Sequence, residues 1–241
     1  MTASLPERLA GMLSQARRAV FFGGAGVSTE SGIPDFRSTD GLYHQQWRYP
    51  PETILSHTFF QRRTEEFFDF YRKKMLFPQA RPNAAHLALA ELEKRGILAA
   101  VITQNIDGLH QAAGSRRVYE LHGSVLRNYC RKCRKFFSAE YIKNSSGVPK
   151  CDCGGVIKPD VVLYEEGLDD STVNGALNAI MQADTLIIAG TSLTVYPAAG
   201  FIRYFRGDTI VLINHDKTPF DSQADLVFHD KVGELLGGIV V

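Results

Sequence analysis

Apolar and polar positions along this chain form a repeating pattern in which short apolar runs alternate with amphipathic stretches. Runs rich in Val, Ile, Leu and Ala predict buried strands at residues 19–22, 97–103, 118–122, 185–190 and 208–214. Helical spacing, or helix start and stop signals, predicts helices over residues 6–18, 83–96, 106–113, 169–183 and 197–206. Because continuously apolar strands between helices are typical of a sheet buried on both faces, we expect an α/β fold with a doubly wound, parallel, Rossmann-like sheet.

Two segments interrupt this alternation. Residues 38–77 carry Trp47, several Tyr and Phe, and the run "RRTEEFFDFYRKKMLF", which predicts a helical insertion. Residues 126–157 contain all four cysteines among Lys, Arg, Ser and Gly, and we interpret them as a small metal-held module. The chain therefore predicts a single catalytic core over residues 1–241. Its large lobe would comprise residues 1–37, 78–125 and 158–241, and the two insertions would form a smaller lobe.

Composition narrows the class of protein without defining its chemistry. The 241 residues are 44% hydrophobic and 22% charged, enough apolar material for a sizeable core. Lys and Arg number 27 against 26 for Asp and Glu, so the charge balance indicates neither a nucleic-acid nor a membrane partner. No segment approaches the roughly 18 consecutive apolar residues of a membrane span. We expect a soluble cytoplasmic protein, with a monomer favoured.

The cysteines form two close pairs. Cys130-x-x-Cys133 is followed, after seventeen residues, by Cys151-x-Cys153. Two chelating pairs at this separation predict a tetrahedral Zn²⁺ site with four thiolates, which is a closed structural site. The second pair has a tighter gap than usual, and Gly154 and Gly155 could absorb the resulting strain.

A glycine-rich loop follows the first predicted strand. Gly24-Ala25-Gly26 allows backbone N–H groups to approach a pyrophosphate, and Ser28 and Thr29 could begin a helix whose N-terminus favours anions. Neither the dinucleotide fingerprint nor the Walker phosphate loop is complete, so a tight turn without a ligand is the alternative.

The next residues favour a bound ligand. In "SGIPDFR", the charged residues Asp35 and Arg37 lie beside Ile33, Pro34 and Phe36, an arrangement suited to gripping a polar ligand.

Polar residues follow two further predicted strands. Gln104, Asn105 and Asp107 come directly after one strand, at the sheet edge where open parallel sheets bind ligands, although they could simply cap the next helix. His122 ends another strand at the same edge and is the candidate general base. A purely structural histidine is its alternative.

Three more segments are candidates for binding. Gly190, Thr191 and Ser192 follow one strand, and Asn214 and His215 follow another, where they could hold ribose or form ordinary turns. In "KPDVVLYEE", residues 161–164 could be core or an edge offered to a peptide.

Taken together, "GAGVSTESGIPDFR", "TQNIDGLH", the His122-Gly123 pair, the cysteine pairs, "PDVVLYEE", "GTSLTVYPAAG" and "INHDKTPFD" resemble the sirtuins, the NAD-dependent protein-lysine deacylases. The resemblance extends over about residues 19–232 and is closest to small bacterial members with a single core. It implies that His122 is the general base, with Asn105 and Asp107 also catalytic. It also implies one structural Zn²⁺ on Cys130, Cys133, Cys151 and Cys153, and an acetyl-lysine peptide added as a strand. The implied peptide contacts are Val161, Val162, Leu163, Tyr164, Leu193 and Tyr196. The implied NAD contacts are Gly24, Ala25, Gly26, Thr29, Asp35, Phe36, Arg37, Gln104, Asn105, Ile106, Asp107, Gly190, Thr191, Ser192, Asn214, His215 and Lys231.

In the chemistry that this resemblance implies, the acyl-lysine carbonyl oxygen attacks the anomeric ribose carbon as nicotinamide leaves. NAD is consumed as a co-substrate, and the products are free lysine, nicotinamide and 2'-O-acyl-ADP-ribose. The alternatives are a mono-ADP-ribosyltransferase and an NAD or ADP-ribose sensor without turnover. A hydride-transfer dehydrogenase is disfavoured, because the third glycine and the following strand with an acidic end are missing.

The acyl preference follows from the helical insertion. Sirtuins that prefer succinyl or malonyl lysine carry Tyr-x-x-Arg there, to pair the acyl carboxylate. This chain has Tyr71 followed by Lys74 at the Arg position, with Arg72 and Lys73 between. Because lysine is a poorer bidentate partner than arginine, we expect acetyl and other uncharged acyl groups to be preferred. The alternative is that these charges form a solvated helix face.

Overall fold

The protein is described by a computed structural model that covers residues 5–36, 41–44 and 47–239. The helices in these residues are α1 (Leu5–Gln15), α2 (Pro51–Ile54), α3 (His57–Arg62), α4 (Thr64–Lys74), α5 (Ala84–Lys94), α6 (Leu109–Ala113), α7 (Ala139–Asn144), α8 (Asp170–Met181) and α9 (Val232–Gly237). The strands are β1 (Ala19–Gly23), β2 (Leu98–Thr103), β3 (Val118–Glu120), β4 (Gly123–Cys130), β5 (Phe136–Ser138), β6 (Ile157–Val161), β7 (Thr185–Ala189), β8 (Thr209–Ile213) and β9 (Leu226–Phe228).

The larger sheet has the strand order β3-β2-β1-β7-β8-β9, and its neighbouring strands run parallel. From β1 the chain builds outward through β2 and β3 on one side, and later through β7, β8 and β9 on the other. The strand order therefore reverses between β1 and β7, which is where open α/β sheets bind ligands, outside the carboxyl ends of the strands. The predicted α/β, doubly wound fold is confirmed.

Strand β1 is buried on both faces, so its alternating side chains enter two separate cores. Phe21 packs with Leu89 of α5 and Leu235 of α9 on one face. Phe22 packs with Ile180 of α8 on the other. This double burial explains why the strand has no polar position.

The two insertions share a third core. Strands β5, β4 and β6 form a small antiparallel sheet, and the aromatic face of α4 packs with it. Phe60 meets Phe67 edge-on, with ring centroids 5.0 Å apart. Cys130 and Cys151 are buried in the same core. The helical insertion is confirmed, whereas the exact division of the chain into two lobes stays a prediction.

Several predicted helices differ from the observed ones. Helix α1 ends at Gln15 because the backbone N–H groups of Arg17 and Arg18 donate to the Asp184 carboxylate, which turns the chain into β1. Helix α6 begins only at Leu109, because Gly108 adopts a left-handed φ of 75°. The predicted helix over residues 197–206 is a 3₁₀ helix, Ala198–Tyr204.

The junction between β4 and β6 depends on a glycine. Gly123 has a φ of 74°, and a Cβ added there would lie 1.9 Å from the carbonyl oxygen of Asp160. Because the obstruction is backbone, the Gly123→Ala variant should lose about 2–4 kcal/mol of unfolding free energy, measured by urea denaturation. Gly11→Ala is the matched control, since nothing lies within 4 Å of its added Cβ in helix α1. Similar stabilities of the two variants would contradict this account.

Candidate active site

The glycine-rich loop packs directly against the loop that follows β7. The backbone N–H of Gly26 donates to the carbonyl of Gly190 at 2.8 Å. A Cβ at Gly24 would lie 2.8 Å from the carbonyl oxygen of Gly190, and one at Gly26 would lie 2.8 Å from its Cα. Ala25 begins a 3₁₀ turn, Ala25–Val27, directly after Gly24. These glycines bring the two loops together at the reversal point of the sheet.

The helix expected after this loop is only one 3₁₀ turn, Thr29–Ser31, which ends at Gly32 with a φ of 79°. A helix does begin at Thr29, as the sequence suggested, but it is a single 3₁₀ turn rather than an α-helix. Thr29 Oγ1 donates to the Gly26 carbonyl at 3.0 Å, so this hydroxyl braces the loop.

Asp35 and Phe36 are joined by backbone hydrogen bonds to the turn Leu42–His44. Their carbonyls accept backbone hydrogen bonds from Leu42 at 2.8 Å and Tyr43 at 3.0 Å. The Phe36 ring packs against that of Tyr43 and borders the core of the small sheet. Arg37, predicted to lie on the same loop, is outside the described residues.

A polar network forms where the loops after β1 and β2 meet. Ser28 Oγ donates to Asp107 Oδ2 at 2.7 Å, and Asn105 Nδ2 donates to Ser28 Oγ at 3.0 Å. Asp107 Oδ1 accepts the backbone N–H of Leu109 at 2.9 Å, so this carboxylate both caps α6 and joins the network. Asn105 is buried. The predicted convergence of Asn105 and Asp107 at the sheet edge is observed.

Gln104 connects this network to β7 and to His122. The Gln104 side chain donates to Thr191 Oγ1 at 3.1 Å. The backbone carbonyl oxygen of Gln104 lies 3.0 Å from His122 Nδ1. Because a carbonyl only accepts, Nδ1 carries the proton and Nε2 is the basic nitrogen of the neutral ring. Burial lowers the pKa of His122, against the opposing effect of the Gln104 bond. A neutral imidazole with a free Nε2 is the form that a general base requires.

Ile106 lies in the chain between Asn105 and Asp107 of this network. It is partly buried against the core of the small sheet, and its carbonyl accepts the backbone N–H of Val125 at 2.9 Å. Two buried histidines lie on the helices that flank the network, with ring centroids 4.7 Å apart. Burial lowers the pKa of His110 to about 3 and also lowers that of His86, so both are neutral at pH 7.

The carboxyl ends of β7 and β8 carry the other predicted NAD contacts. Gly190 and Thr191 are buried, while the Ser192 hydroxyl pairs with Thr194 Oγ1 at 2.8 Å. Asn214 Nδ2 donates to the Asp216 carbonyl at 2.7 Å, which shapes the turn after β8.

The last two predicted NAD contacts lie on the surface near the same edge. His215 is exposed and lies beside Asp216, with Nδ1 3.1 Å from its carboxylate. Lys231 precedes α9 and forms an exposed ion pair with Glu234 at 2.8 Å.

The predicted peptide segment continues beyond β6. Val161 ends that strand, and the backbone N–H of Val162 donates to the His122 carbonyl at 3.0 Å. The backbone N–H of Tyr164 donates to the Leu55 carbonyl, and the Tyr164 carbonyl accepts the backbone N–H of His57, both at 2.9 Å.

The remaining predicted peptide contacts include Leu163, which is buried, and Tyr196, which is exposed. Leu193 has a φ of 55°, and its backbone N–H donates to Thr191 Oγ1 at 3.2 Å. The segment 161–164 is therefore joined to His122, and Leu193 is joined to the loop after β7.

The four cysteines form one cluster whose Sγ atoms lie within 4.8 Å of one another. The Sγ atoms of Cys130 and Cys153 are 3.5 Å apart, and those of Cys133 and Cys151 are 3.6 Å apart. Tetrahedral Zn²⁺ with Zn–S bonds of about 2.3 Å requires S···S separations of about 3.8 Å. The cluster therefore fits a four-thiolate Zn²⁺ site.

Two glycines shape the second cysteine pair. Gly154 has a φ of 79°, and a Cβ on Gly155 would lie 2.6 Å from Cys130 Sγ. This agrees with the expectation that these glycines accommodate the tight gap.

Two long-range hydrogen bonds that support the site could not be predicted from the local sequence. Glu30 Oε2 accepts the backbone N–H of Gly233 at 2.6 Å, which ties the turn after the glycine loop to the start of α9. Asn83 Nδ2 donates to the Val27 carbonyl at 2.8 Å while its Oδ1 caps α5. The cap was predictable from the sequence, but the bond to the distant loop was not.

Comparison with known proteins defines the family. The Sir2 family matches residues 24–197, and this chain belongs to that family. The "NAD-dependent protein deacetylase" of Clostridium acetobutylicum is 59% identical over 233 residues, which is 95% of each chain. The predicted sirtuin resemblance is therefore confirmed.

Solved structures support the same assignment. A Sir2 structure with deacetylated p53 peptide and 3'-O-acetyl ADP-ribose is 40% identical, with a TM-score of 0.88 over 97% of this chain and 96% of the other. A Sir2 homologue in complex with NAD is 39% identical, with a TM-score of 0.87 over 97% and 92%.

Proposed function

We propose that this protein removes acetyl groups from protein lysines in an NAD-dependent reaction that yields nicotinamide, free lysine and 2'-O-acetyl-ADP-ribose. The observation that carries the proposal is the position of the His122 ring. Its Nδ1 lies 3.0 Å from the backbone carbonyl oxygen of Gln104, next to the polar network. The family and the deacetylase name of its relatives support the same reaction.

NAD would lie across the carboxyl edge of the large sheet. Backbone N–H groups near Gly24 and Ala25 would contact the pyrophosphate, with Thr29 bracing the loop. The adenosine would extend over the ends of β7 and β8, toward Thr191, Asn214 and their neighbours. The loops already converge there through the Gly26 to Gly190 hydrogen bond.

The ribose and nicotinamide would occupy the pocket beside the polar network. Asn105 and Asp107 are held by Ser28, so their positions are fixed before NAD binds. Such preorganised polar groups stabilise developing charge without reorganising during the reaction. Phe36 and Ile106 would cover this end and exclude water that competes for the reacting ribose.

His122 would take a proton from a ribose hydroxyl through Nε2. Its Nδ1 is already committed to Gln104, so a single tautomer faces the substrate. The lowered pKa keeps the ring neutral at pH 7. Once the acyl oxygen has displaced nicotinamide, the activated hydroxyl would attack the acyl carbon, and one water molecule would be consumed as lysine leaves as the free amine.

The substrate peptide would enter as a strand between residues 161–164 and the loop with Leu193 and Tyr196. Val162 donates to the His122 carbonyl, so the proposed peptide segment and the proposed base share one backbone contact. Main-chain hydrogen bonds would supply much of the affinity.

Zn²⁺ on the four cysteines would supply structural cross-linking and no chemistry at the reacting atoms. Cys130 of the cluster is the last residue of β4, and this strand begins at Gly123, directly after His122. The metal would therefore hold the far end of the strand that follows the base.

The helical insertion bears on acyl preference. Tyr71 is buried against Phe67, with ring centroids 5.6 Å apart, and its hydroxyl has no hydrogen-bond partner among the described residues. Arg72 donates to Ser145, and Lys73 pairs with Asp69 at 2.7 Å. These contacts favour a structural role for Tyr71, Arg72 and Lys73 rather than recognition of an acyl carboxylate.

Acetyl peptide should therefore exceed the matched succinyl peptide in kcat/KM by at least about tenfold, since no bidentate guanidinium is supplied at the Lys74 position. Lys74→Arg should raise kcat/KM for succinyl peptide, while Lys73→Arg, at an exposed surface pair, should leave the ratio unchanged. Equal rates on both peptides with the wild-type protein would overturn the proposed preference.

The test of the proposed reaction is mass spectrometry of an acetyl-lysine peptide incubated with the protein, with and without NAD. We expect a peptide lighter by one acetyl group only when NAD is present. A peptide that gains ADP-ribose would replace the proposal with mono-ADP-ribosyl transfer. No change on acetyl or succinyl peptide would indicate an NAD-binding sensor.

The proposed setting of this reaction is the cytoplasm. Four cysteines gathered in one metal-type cluster suit a reducing compartment. Among the described residues, no helix combines the length and apolar character needed to cross a membrane. The favoured monomeric state stays a prediction.

A further inference from the structure

Arg127 on β4 lies between two carboxylates near the turn that holds His122. Its Nη1 donates to Glu120 Oε2 at 2.7 Å, and its Nε donates to Asp160 Oδ2 at 2.7 Å. One guanidinium therefore uses two of its donors to join two separate chain segments.

The two ion pairs of Arg127 differ in their exposure to solvent. The Glu120 side chain is 9% exposed, whereas that of Asp160 is 42% exposed. Burial lowers the pKa of Arg127, but its hydrogen bonds to Asp160 and Glu120 and the charges of these carboxylates together raise it by more. The ion pair with Glu120 is the stronger of the two, because solvent screens the ion pair with Asp160. A nearly buried carboxylate such as that of Glu120 is also costly without its partner.

Together, Arg127, Glu120 and Asp160 join the two sheets on both sides of His122. Glu120 ends β3 in the large sheet, opposite Thr103, and lies two residues before His122. Asp160 lies on β6 in the small sheet, two residues before Val162, whose backbone N–H donates to the His122 carbonyl. Arg127 thus fixes the spacing of both backbone segments that meet at His122.

An irregular stretch of β4 places Arg127 in this position. Ser124 is opposite Asp160, but Asn128 is opposite Pro159, so the register shifts between them. Asn128 is buried and stabilises the irregular stretch through a 3.2 Å bond from Nδ2 to the Val125 carbonyl. A regular ladder continuing from Ser124 would place Arg127 opposite Ile157, away from Asp160. Bulges of this kind commonly redirect a side chain next to an active site.

We propose that Arg127 is a positioning residue for the deacetylation reaction, because it clamps Glu120 and Asp160 across the turn that aims the His122 ring. This inference rests on the proposed function. The clamp acts on the geometry of the base, so its loss should reduce kcat more than it changes the KM for NAD.

A role limited to neutralising Glu120 predicts a different outcome, and two variants separate the roles. Arg127→Met leaves Glu120 unpaired, whereas Arg127→Met combined with Glu120→Gln removes both charges and still lacks the clamp. Arg127→Lys retains a charge without the two-pronged fork. The control is Arg95→Met, which removes an arginine that pairs with Glu91 on an exposed helix face.

We expect the double variant to melt within a few degrees of wild type, with kcat still about 10- to 100-fold lower and the KM for NAD within about threefold. Arg127→Lys should recover part of kcat, and Arg95→Met should behave as wild type. A double variant with wild-type kcat would overturn the proposal, because charge balance alone would then suffice. Arg127→Met with a native melting curve and a kcat within twofold of wild type would overturn it as well.

An NMR measurement on the same proteins does not depend on turnover. The His122 Nδ1 proton, held on the Gln104 carbonyl, should give a slowly exchanging imidazole signal in wild type that is weakened or lost in the double variant. If wild type lacked deacetylation but this difference persisted, the proposed function would fail and the positioning effect would stand. An unchanged signal in the double variant would overturn the positioning effect.

Discussion

The His122→Ala protein should retain NAD binding but deacetylate an acetyl-lysine peptide about 10²- to 10⁴-fold more slowly than wild type. The expected loss is large because the ring is fixed by Gln104, with Nδ1 protonated and Nε2 free to accept a proton. The binding of NAD should persist because most of its other proposed contacts lie on the loops after β1, β2, β7 and β8. Calorimetric titration with NAD and steady-state deacetylation rates measure the two properties separately.

His122→Asn is the matched variant, since an asparagine side chain can donate to the Gln104 carbonyl but offers no basic nitrogen. It should be as inactive as His122→Ala. Recovery of activity in His122→Asn would identify the ring as structural and contradict its role as the base.

The pH dependence provides a further check on the same prediction. Because burial lowers the pKa of His122, the acid limb of the wild-type kcat profile should fall below the ordinary histidine value of about 6.5. Activity should decrease as pH falls through that limb, since protonation removes the base. Both variants should lack this limb in their residual rates.

Removal of the zinc ligands should have the second largest effect. Cys130→Ala should unfold the small sheet and abolish activity, because Cys130 and Cys151 are buried in the core that packs against α4. Structural Zn²⁺ contributes about 10–16 kcal/mol of apparent binding free energy in small zinc domains. That is comparable to the entire stability of a typical protein, about 5–15 kcal/mol. Metal analysis and thermal melting of wild type and Cys130→Ala measure the effect.

The neighbouring residue Asp152 supplies the control. It lies between two cysteines, but its side chain is 85% exposed and forms a surface ion pair with Lys135. Asp152→Ala should retain one Zn²⁺ per chain and near-wild-type activity. A metal-free Cys130→Ala protein with a native melting curve would refute the structural role of zinc.

The sequence predicted the elements whose signals are local. The strand with Phe21 and Phe22 was predictable because a strand buried on both faces must be apolar throughout. The cysteine cluster was predictable because chelating pairs have characteristic spacing. Helix α6 was placed too early because the left-handed φ of Gly108 interrupts an otherwise helical pattern.

The site itself was predictable to the extent that topology determines it. Parallel strands end at one edge, so the convergence of Gln104, Asn105 and His122 followed from their positions after strands. The clamp at Arg127 did not follow, because its partner Asp160 is 33 residues away and is reached only through the register shift in β4. Long-range polar contacts of this kind leave no periodic signal in the sequence.

The central claim is that NAD is consumed as a co-substrate that accepts the acetyl group. The most direct test is to quantify nicotinamide, deacetylated peptide and O-acetyl-ADP-ribose in one time course with purified protein. The account predicts equal molar amounts of all three at every time point, and no peptide deacetylation without NAD. Release of free acetate with NAD unchanged, or release of nicotinamide while the lysine remains acetylated, would contradict it.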